Sequence, residues 1–449
     1  MRLWTTGAGE ALAELLARRR ERYGGREEEV KAILAAVRTE GDAALLRFTR
    51  EFDGVALEAA RLRVTEEEVN EAYQQVDAAF LAALLRAKAN IENYQRSRLP
   101  QGRVEADGAG NLIGHFCRPL SRVGIYIPGG TAAYPSSVLM NAVPAKVAGV
   151  PQIAMVTPPA KDGTVNPYTL VAAAEAGVTE IYRVGGAQAI AALAYGTQTI
   201  RAVDKITGPG NIYVTTAKRL VNGVVAIDLV AGPSEVVVVA DETAPPDYLA
   251  ADLLAQAEHD PEALAVLLTP DASLAQAVAA ALERQLALLP RQDIARQALA
   301  NYGALVVTAS LEEALDLANR LAPEHLELVV AEPWSWLGRV EHAGAVFLGP
   351  HSTEPVGDYW AGPNHVLPTG GTARYASALG VEDFIKRISI IAYSGRGLRE
   401  AAPGIVRLAE AEGLTAHAAA VRLRLEDLKR GEKNGAQSQF DPPHRGNEH

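Results

Sequence analysis

This sequence has little cysteine, no long hydrophobic run and no surplus of basic residues. Cys117 is the single cysteine among 449 residues, which excludes an intramolecular disulfide and a thiolate-rich zinc site and fits a reducing compartment. No run of about 18 apolar residues offers a membrane span. Met1 to Thr6 lack the apolar core of a signal peptide. These absences predict a cytoplasmic protein with no membrane partner.

The charge balance argues against nucleic acid as a partner. The chain carries 43 Lys and Arg against 54 Asp and Glu, a formal net charge of -11, so it has no basic surplus to neutralise phosphates. Hydrophobic residues make up 48% of the chain, which is enough to bury a large core, and the length suggests about three domains. Composition therefore predicts a soluble globular protein and leaves its chemistry open.

Strand and helix patterns alternate from Arg122 onward. Short apolar runs predict strands at 152–157 and 180–184, for example, and a helix is predicted at 186–195. A second block with the same alternation begins at Val236. Alternation at this spacing is typical of βαβ units and of parallel sheets.

The sequence therefore predicts an α/β fold with two similar parallel-sheet, incomplete Rossmann-like domains and helical N- and C-terminal extensions. One long helix is expected over 26–51, and the capping box from Thr65 to Glu68 opens another helix towards Pro100. The predicted divisions are an N-terminal helical arm at 1–25, a discontinuous α/β domain with a helical start at 26–121 and 236–382, a second α/β domain at 122–235, a C-terminal helical segment at 383–430 and a disordered tail at 431–449.

The usual dinucleotide fingerprint, G-x-G-x-x-G after the first strand, is missing. Four glycine-rich turns are nevertheless present at strand boundaries: Pro128-Gly129-Gly130-Thr131, Gly185-Gly186-Ala187-Gln188, Gly208-Pro209-Gly210-Asn211 and Gly232-Pro233-Ser234-Glu235. Their backbone N–H groups would lie near strand ends or helix N-termini, where phosphates bind. Ordinary βα turns also favour glycine, so the turns alone leave a nucleotide site and plain loops equally open.

An adjacent glutamate and histidine, Glu324 and His325, follow Pro323 where a helical pattern at 311–320 gives way to the apolar run 328–330. A carboxylate can activate water while the neighbouring imidazole takes a proton from an alcohol. Taken alone, the junction is more typical of a helix end with a solvated glutamate and a capping histidine. Other polar residues in distinctive settings favour the catalytic interpretation.

Gln256 and His259 are three residues apart at the end of a helical pattern, so their side chains share one face. Asp358 and His365 flank a proline-containing loop, and His417 begins a distant helix. Imidazole and carboxylate donors suit a divalent metal, zinc most readily. No spacing here is a standard zinc signature, and the pattern alone favours capping and satisfied polar contacts over a metal.

Taken together, the motifs resemble those of the histidinol dehydrogenase family from about residue 30 to residue 425. Six separated motifs in the same order are far more specific than any one of them. They are Gly124-Ile125-Tyr126-Ile127-Pro128-Gly129-Gly130, Thr207-Gly208-Pro209-Gly210-Asn211, Ala231-Gly232-Pro233-Ser234-Glu235, Gln256-Ala257-Glu258-His259, Ala322-Pro323-Glu324-His325-Leu326-Glu327 and Gly362-Pro363-Asn364-His365-Val366-Leu367-Pro368-Thr369.

The resemblance implies a role for each site residue. Glu324 and His325 would be the catalytic acid–base pair. One Zn²⁺ per subunit would be held by Gln256, His259, Asp358 and His417. NAD would contact Tyr126, Gln188 and Asn211. Substrate would contact Ser234, Gln256, His259, His325, Asp358, His365, Glu412 and His417. Cys117 has no implied catalytic role, and its apolar strand context favours a structural one.

The resemblance also implies a reaction and an assembly. Family members oxidise L-histidinol through L-histidinaldehyde to L-histidine with two NAD, the last step of histidine biosynthesis. The domain at 122–235 would be the one associated with NAD, and the segment at 383–430 would form a homodimer with shared active sites. The alternative is a related zinc- and NAD-dependent dehydrogenase of another small polyol, such as a sulfonated diol. A non-catalytic binding module is a more distant possibility, because it would not need Glu324 beside His325.

Overall fold

The computed structural model describes residues 1–21, 25–129 and 133–433. Gly24, Gly130, Thr131 and the predicted disordered tail beyond Lys433 lie outside the described residues. The chain forms two compact units: the first comprises Met1–Leu99 and Leu120–Phe384, and the second comprises Pro100–Pro119 and the chain from Ile385. Among the described residues, no helix combines the length and the apolar character needed to cross a bilayer.

The strands are β1 (Arg2–Trp4), β2 (Arg103–Ala106), β3 (Leu112–Pro119), β4 (Arg122–Tyr126), β5 (Gln152–Thr157), β6 (Glu180–Arg183), β7 (Lys205–Thr207), β8 (Ala226–Ile227), β9 (Glu235–Ala240), β10 (Leu264–Thr269), β11 (Gly303–Val307), β12 (His325–Val329), β13 (Ala345–Leu348) and β14 (Ile385–Ala392). The α-helices are α1 (Ala8–Glu21), α2 (Glu27–Glu40), α3 (Asp42–Phe48), α4 (Glu66–Gln75), α5 (Ala78–Ser97), α6 (Pro135–Ala148), α7 (Pro167–Glu175), α8 (Gly186–Tyr195), α9 (Ile212–Val221), α10 (Pro246–Ala257), α11 (Ala272–Leu286), α12 (Gln292–Tyr302), α13 (Leu311–Leu321), α14 (Pro333–Leu337), α15 (Glu354–Tyr359), α16 (Gly395–Ala411) and α17 (Thr415–Lys433). Shorter 3-10 or π turns occupy Thr49–Asp53, Ala59–Arg61, Thr372–Arg374 and Val381–Phe384.

The larger sheet of the first unit is parallel, with strand order β1-β11-β10-β9-β12-β13. All positions of β9 and β10 are buried, as expected for parallel strands covered on both faces. Side chains alternate between the faces: Val236 and Val238 pack with α10, α11 and α12, whereas Val237 and Val239 pack with α1 and α13. Both faces are therefore hydrophobic core, and polar chemistry is confined to the strand ends.

The smaller sheet of the first unit is also parallel, with order β6-β5-β4-β7-β8. The chain moves from β4 outward through β5 to β6, and then returns to place β7 on the other side of β4. This reversal is a topological switch point, where loops after the two central strands diverge and leave a crevice for a ligand. The two parallel sheets confirm the predicted α/β fold class, while the predicted domain boundaries stay a prediction.

Several elements match the sequence predictions, and the departures have local causes. β5 and α8 have the predicted bounds, and the capping box at Thr65 is formed. The helix expected over 26–51 is broken at Gly41, whose φ of 62° ends α2 and suits glycine. The next helix is also interrupted, because the Asp77 side chain accepts the Phe80 N–H and starts α5.

The terminal segments are less helical than predicted. The 1–25 arm begins with β1, which pairs with β11, and three residues are too few to show a period in the sequence. The 383–430 segment begins with β14, which pairs antiparallel with β3, and β2 completes that sheet of the second unit. The isoleucines of β14 suit a strand. α17 continues to Lys433, so its end overlaps the start of the predicted tail at 431–449.

Candidate active site

The Glu324–His325 pair lies at the sharp junction between α13 and β12. Ala322 ends α13 with a φ of 47°, and among the described residues it is the one non-glycine with positive φ. β12 begins at His325, which lies opposite Val236 of β9 and Ala345 of β13. The junction therefore brings both side chains to the amino edge of the larger sheet, where they are buried.

The backbone of Glu235 contacts both members of the pair. Its N–H donates to Glu324 Oε2 at 2.9 Å, and its carbonyl oxygen lies 3.1 Å from His325 Nδ1. A carbonyl oxygen can only accept, so Nδ1 carries the imidazole proton and Nε2 presents a lone pair. Glu324 Oε2 is 3.7 Å from His325 Nδ1. Ser234, which precedes Glu235, is thereby placed beside the pair in the chain.

His325 is held in its neutral form. Burial lowers its pKa to about 4, and the neighbouring His365 and His259 lower it further against the opposing effects of Asp358 and the Glu235 carbonyl. Its Nε2 is buried and has no hydrogen-bond partner. A neutral imidazole with an unused lone pair is a proton acceptor.

A cavity of about 290 Å³ adjoins His325 and is also lined by Phe347, Asp358 and His365. Asp358 Oδ1 is 3.6 Å from His365 Nδ1, and the His365 Nε2 is 3.5 Å from the Ser137 hydroxyl. Burial alone would raise the pKa of Asp358, but the contact with His365 outweighs it and holds that pKa below its usual value. The cavity therefore combines an anionic carboxylate with a neutral base.

Gln256 and His259 meet the carboxylates of α15 near this cavity. Gln256 is fully buried, yet neither its amide oxygen nor its amide nitrogen has a hydrogen-bond partner. Donor atoms of His259, Glu354 and Asp358 lie within 4.8 Å of one another. An unsatisfied buried amide is unfavourable unless a ligand completes it, and oxygen and nitrogen donors of these kinds suit a divalent metal.

Glu354 was missed by the sequence analysis. Its pKa is raised well above the usual value by burial and by nearby carboxylates, of which Asp358 has the largest effect. The available signal was its spacing: Glu354 is four residues before Asp358 on α15, so the two share a face. Thr353 precedes it as the N-cap of the helix.

Two predicted site residues belong to the second unit. Glu412 is the C-cap of α16, and His417 lies in the first turn of α17, where its N–H donates to the Leu414 carbonyl. The remaining predicted catalytic, metal and substrate residues belong to the first unit. Cys117 lies half-buried in β3 opposite Arg387.

The residues predicted to contact a nucleotide surround the switch point of the smaller sheet. Tyr126 ends β4, Asn211 caps α9 after β7, and Gln188 lies in the first turn of α8. The Tyr126 hydroxyl accepts the Gly186 N–H at 3.2 Å. The buried Gln188 has an amide oxygen without a hydrogen-bond partner.

The Gly208 turn is held from both sides. Its N–H donates to Asp228 Oδ2 at 2.7 Å, and its carbonyl accepts from Lys218 Nζ at 2.8 Å. A side chain on Gly208 would come within 2.1 Å of the Tyr126 carbonyl oxygen, so only glycine allows the turn to approach the end of β4.

Comparisons with known proteins agree on one family. The family profile described as histidinol dehydrogenase matches residues 16–425. Histidinol dehydrogenase from Moorella thermoacetica is 60% identical over 398 residues, which cover 88% of this chain and 94% of the relative. The Geobacillus kaustophilus protein of that name is 57% identical, covering 91% and 96%. The crystal structure of histidinol dehydrogenase from Elizabethkingia anophelis aligns with a TM-score of 0.90 at 38% identity, covering 96% of this chain and 99% of that one.

Proposed function

This chain belongs to the histidinol dehydrogenase family, and on that premise we propose that it oxidises L-histidinol through L-histidinaldehyde to L-histidine with two NAD. It is an oxidoreductase of histidine biosynthesis by family membership. The observation that carries the proposal is the buried Nε2 of His325, whose unused lone pair adjoins a cavity with the carboxylate of Asp358. This is the arrangement needed to take a proton from a bound alcohol.

His325 acts as the base of the alcohol oxidation. The Glu235 carbonyl keeps the imidazole proton on Nδ1, so Nε2 accepts the alcohol proton as hydride leaves the carbinol carbon. A charged imidazole then lies close to Asp358 and Glu324, whose negative charges stabilise it. Burial keeps bulk water away from the pair and strengthens these interactions.

Glu324 serves the second oxidation. An aldehyde must be hydrated before it can lose hydride to give an acid, so a base has to activate water. Glu324 is a buried carboxyl next to His325, and the Glu235 N–H fixes one of its oxygens. The two adjacent groups therefore divide the work: His325 takes protons from the reacting oxygen, and Glu324 takes one from water.

A divalent metal, zinc in our proposal, fits the residues present. Gln256 has a buried amide oxygen awaiting a partner, and His259 and Asp358 supply nitrogen and oxygen donors nearby. His417 is the fourth proposed ligand. When bound, zinc would hold the substrate's nitrogen groups and so fix the carbinol carbon, an effect of positioning that can lower a barrier by several kcal/mol. Ser234, His365 and Glu412 complete the proposed substrate contacts.

NAD fits the switch point of the smaller sheet. Tyr126, Gln188 and Asn211 lie at the strand and helix ends around it, and the Gly208 turn leaves room for close approach of a ligand to the backbone. When bound, NAD would accept the hydride. Gln188 supports this assignment because its buried amide oxygen lacks a hydrogen-bond partner.

We also propose a cytoplasmic homodimer with shared active sites. The single cysteine fits a reducing compartment. Glu412 and His417 are carried by a unit separate from the one with the other proposed ligands, which suits a site completed by a second copy of the chain.

The decisive experiment is spectrophotometric measurement of NAD reduction with L-histidinol, with NADH counted against substrate. Two NADH for each L-histidinol consumed is the expected result. One NADH for each substrate would contradict the second oxidation, and no reduction would reject the proposal. The alternative substrate, a sulfonated diol, finds no support in the comparisons, and reduction of NAD with such a diol but not with L-histidinol would reverse that conclusion.

A further inference from the structure

Two buried carboxyl groups, Asp252 on α10 and Glu327 on β12, lie behind the proposed metal site and are not used by the mechanism. Their side chains are hydrogen-bonded to each other. Asp252 Oδ1 accepts from the Thr353 hydroxyl at 2.6 Å, and Glu327 Oε1 accepts the Glu354 N–H at 3.1 Å. We call Asp252 and Glu327 the carboxyl pair.

The hydrogen bond within the pair requires a proton, because two carboxylates cannot donate to each other. Burial and the charge of Asp252 raise the pKa of Glu327 well above its usual value, which assigns the proton to Glu327. Each remaining contact then has a donor and an acceptor. The pair is a compact neutral-plus-anion unit that receives two donors from the start of α15.

Each element joined by this pair also carries a site residue on the same face. Asp252 is four residues before Gln256 on α10, a spacing that aligns side chains along a helix. Glu327 is two residues after His325 on β12, a spacing that puts both on one face of the sheet.

The start of α15 is the third element. Its N-cap residue Thr353 uses its hydroxyl to reach Asp252 and makes no side-chain capping bond to its own helix. Asp358 lies near the other end of this short helix. The carboxyl pair thus connects α10, β12 and α15, which carry Gln256, His325 and Asp358.

We propose that Asp252 and Glu327, through Thr353 and the Glu354 N–H, are positioning residues that set the spacing between the metal ligands Gln256 and Asp358 and the base His325. This inference rests on the proposed function, because it presumes that a metal binds at these ligands. Partners behind metal ligands commonly change metal affinity by about 10-fold to 100-fold when removed.

The test is zinc affinity of the full-length, metal-free protein, measured by competition with a colorimetric chelator. Glu327→Met keeps length and burial but removes both hydrogen bonds. Glu327→Gln keeps them, since its amide donates to Asp252 and its carbonyl accepts the Glu354 N–H. We expect Glu327→Met to weaken zinc binding by about 10-fold to 100-fold and Glu327→Gln to remain within about threefold of wild type.

A second pair of variants covers the case in which Glu327→Met does not fold. Thr353 is half-buried, so Thr353→Val is a mild change of the same shape that removes only the hydroxyl donor, and Thr353→Ser restores it. Asp247→Ala, at an exposed position on the same helix as Asp252, is the matched control. Unfolding temperatures of the metal-free variants separate lost affinity from lost folding.

The outcomes distinguish this inference from the function on which it rests. Wild-type zinc affinity in both Thr353→Val and Glu327→Met would overturn the positioning role and leave the proposed metal intact. Equal weakening in Glu327→Gln and Glu327→Met would also overturn it, because hydrogen bonding would then not be the cause. A wild-type protein that binds no zinc would reject the proposed metal first, and this inference with it.

Discussion

Lys218 and Asp228 form an ion pair whose side chains are 3% and 1% exposed, and both also bind the backbone of Gly208. Breaking a buried pair by removing one charge commonly destabilises a protein by about 3–5 kcal/mol. The pair therefore supports the fold and fixes the turn proposed to contact NAD.

We expect Asp228→Asn to lose about 3–5 kcal/mol in unfolding free energy and to raise the KM for NAD more than it lowers kcat. Urea unfolding and initial-rate kinetics measure the two effects. Asp247→Asn is the control, since its ion pair with Arg284 is exposed and should contribute at most about 1 kcal/mol. Equal small losses in both variants would mean that the buried pair is not needed to hold the turn.

Glu324→Gln and His325→Asn should separate the two oxidations. Glu324→Gln keeps an acceptor for the Glu235 N–H but removes the base for water, so we expect it to oxidise alcohol and to slow with aldehyde by about 100-fold to 10,000-fold. His325→Asn should slow both steps. Single-turnover NADH formation with L-histidinol and with the aldehyde is the measurement. Equal slowing of both steps in Glu324→Gln, with alcohol oxidation intact in His325→Asn, would reverse the assigned roles.

Stability of the metal-free protein should depend on pH through His325. Its pKa is about 4 in the folded protein and about 6.5 when unfolded, so between these values the unfolded chain binds more protons and stability falls as pH falls. Over that window the contribution is on the order of 3 kcal/mol. We expect the stability difference between wild type and His325→Gln to shift by about this amount, in the direction of a weaker wild type, from pH 7 to pH 4. A difference that stays constant in urea titrations across that range would contradict a buried neutral imidazole.

Gln256→Leu should have opposite effects on the metal-bound and metal-free protein. The buried amide has no hydrogen-bond partner, so its replacement should raise the stability of the metal-free protein by about 1–3 kcal/mol while zinc is lost. His259→Asn should also lose zinc but without that gain, because His259 is exposed. Metal content and thermal unfolding measure both. Chelation should abolish wild-type activity and zinc restore it; full turnover without metal would exclude a catalytic metal.

Shared active sites predict complementation between inactive chains. Glu412→Ala and Glu324→Ala should each be nearly inactive. If Glu412 acts in the partner's site, refolding an equal mixture should recover about a quarter of wild-type activity, because half of the dimers then hold one intact site. Sedimentation gives the assembly state. A fully active monomer, or a mixture no more active than its components, would exclude sharing.

Local patterns were sufficient to predict the alternating elements and the Glu324–His325 junction. Buried strands such as β5 are continuous apolar runs, and the bounds of α8 follow from its glycine turn and apolar face. The pairing of β14 with β3 was missed, because its partner lies more than 250 residues away and leaves no local period.

The site was predicted less evenly than the fold. Motifs pointed to Gln256 and Asp358 through family resemblance, and the structure brings the donor groups of Asp358 and His259 together. The buried acids Asp252, Glu327 and Glu354 went unrecognised, because in a sequence an acidic residue at helical spacing is more often a solvated one. Their importance depends on burial, which only the assembled sheet and helices define.

The Glu235 backbone supplies both contacts that orient the Glu324–His325 pair. A side-chain anchor disappears with a single substitution, but a peptide group is common to nearly every residue. Of the replacements open to position 235, proline alone removes the N–H, and none removes the carbonyl. The orientation of the reacting groups is therefore largely insulated from mutation at the residue that provides it, and random sequence drift there would change packing long before it changed the direction of the imidazole.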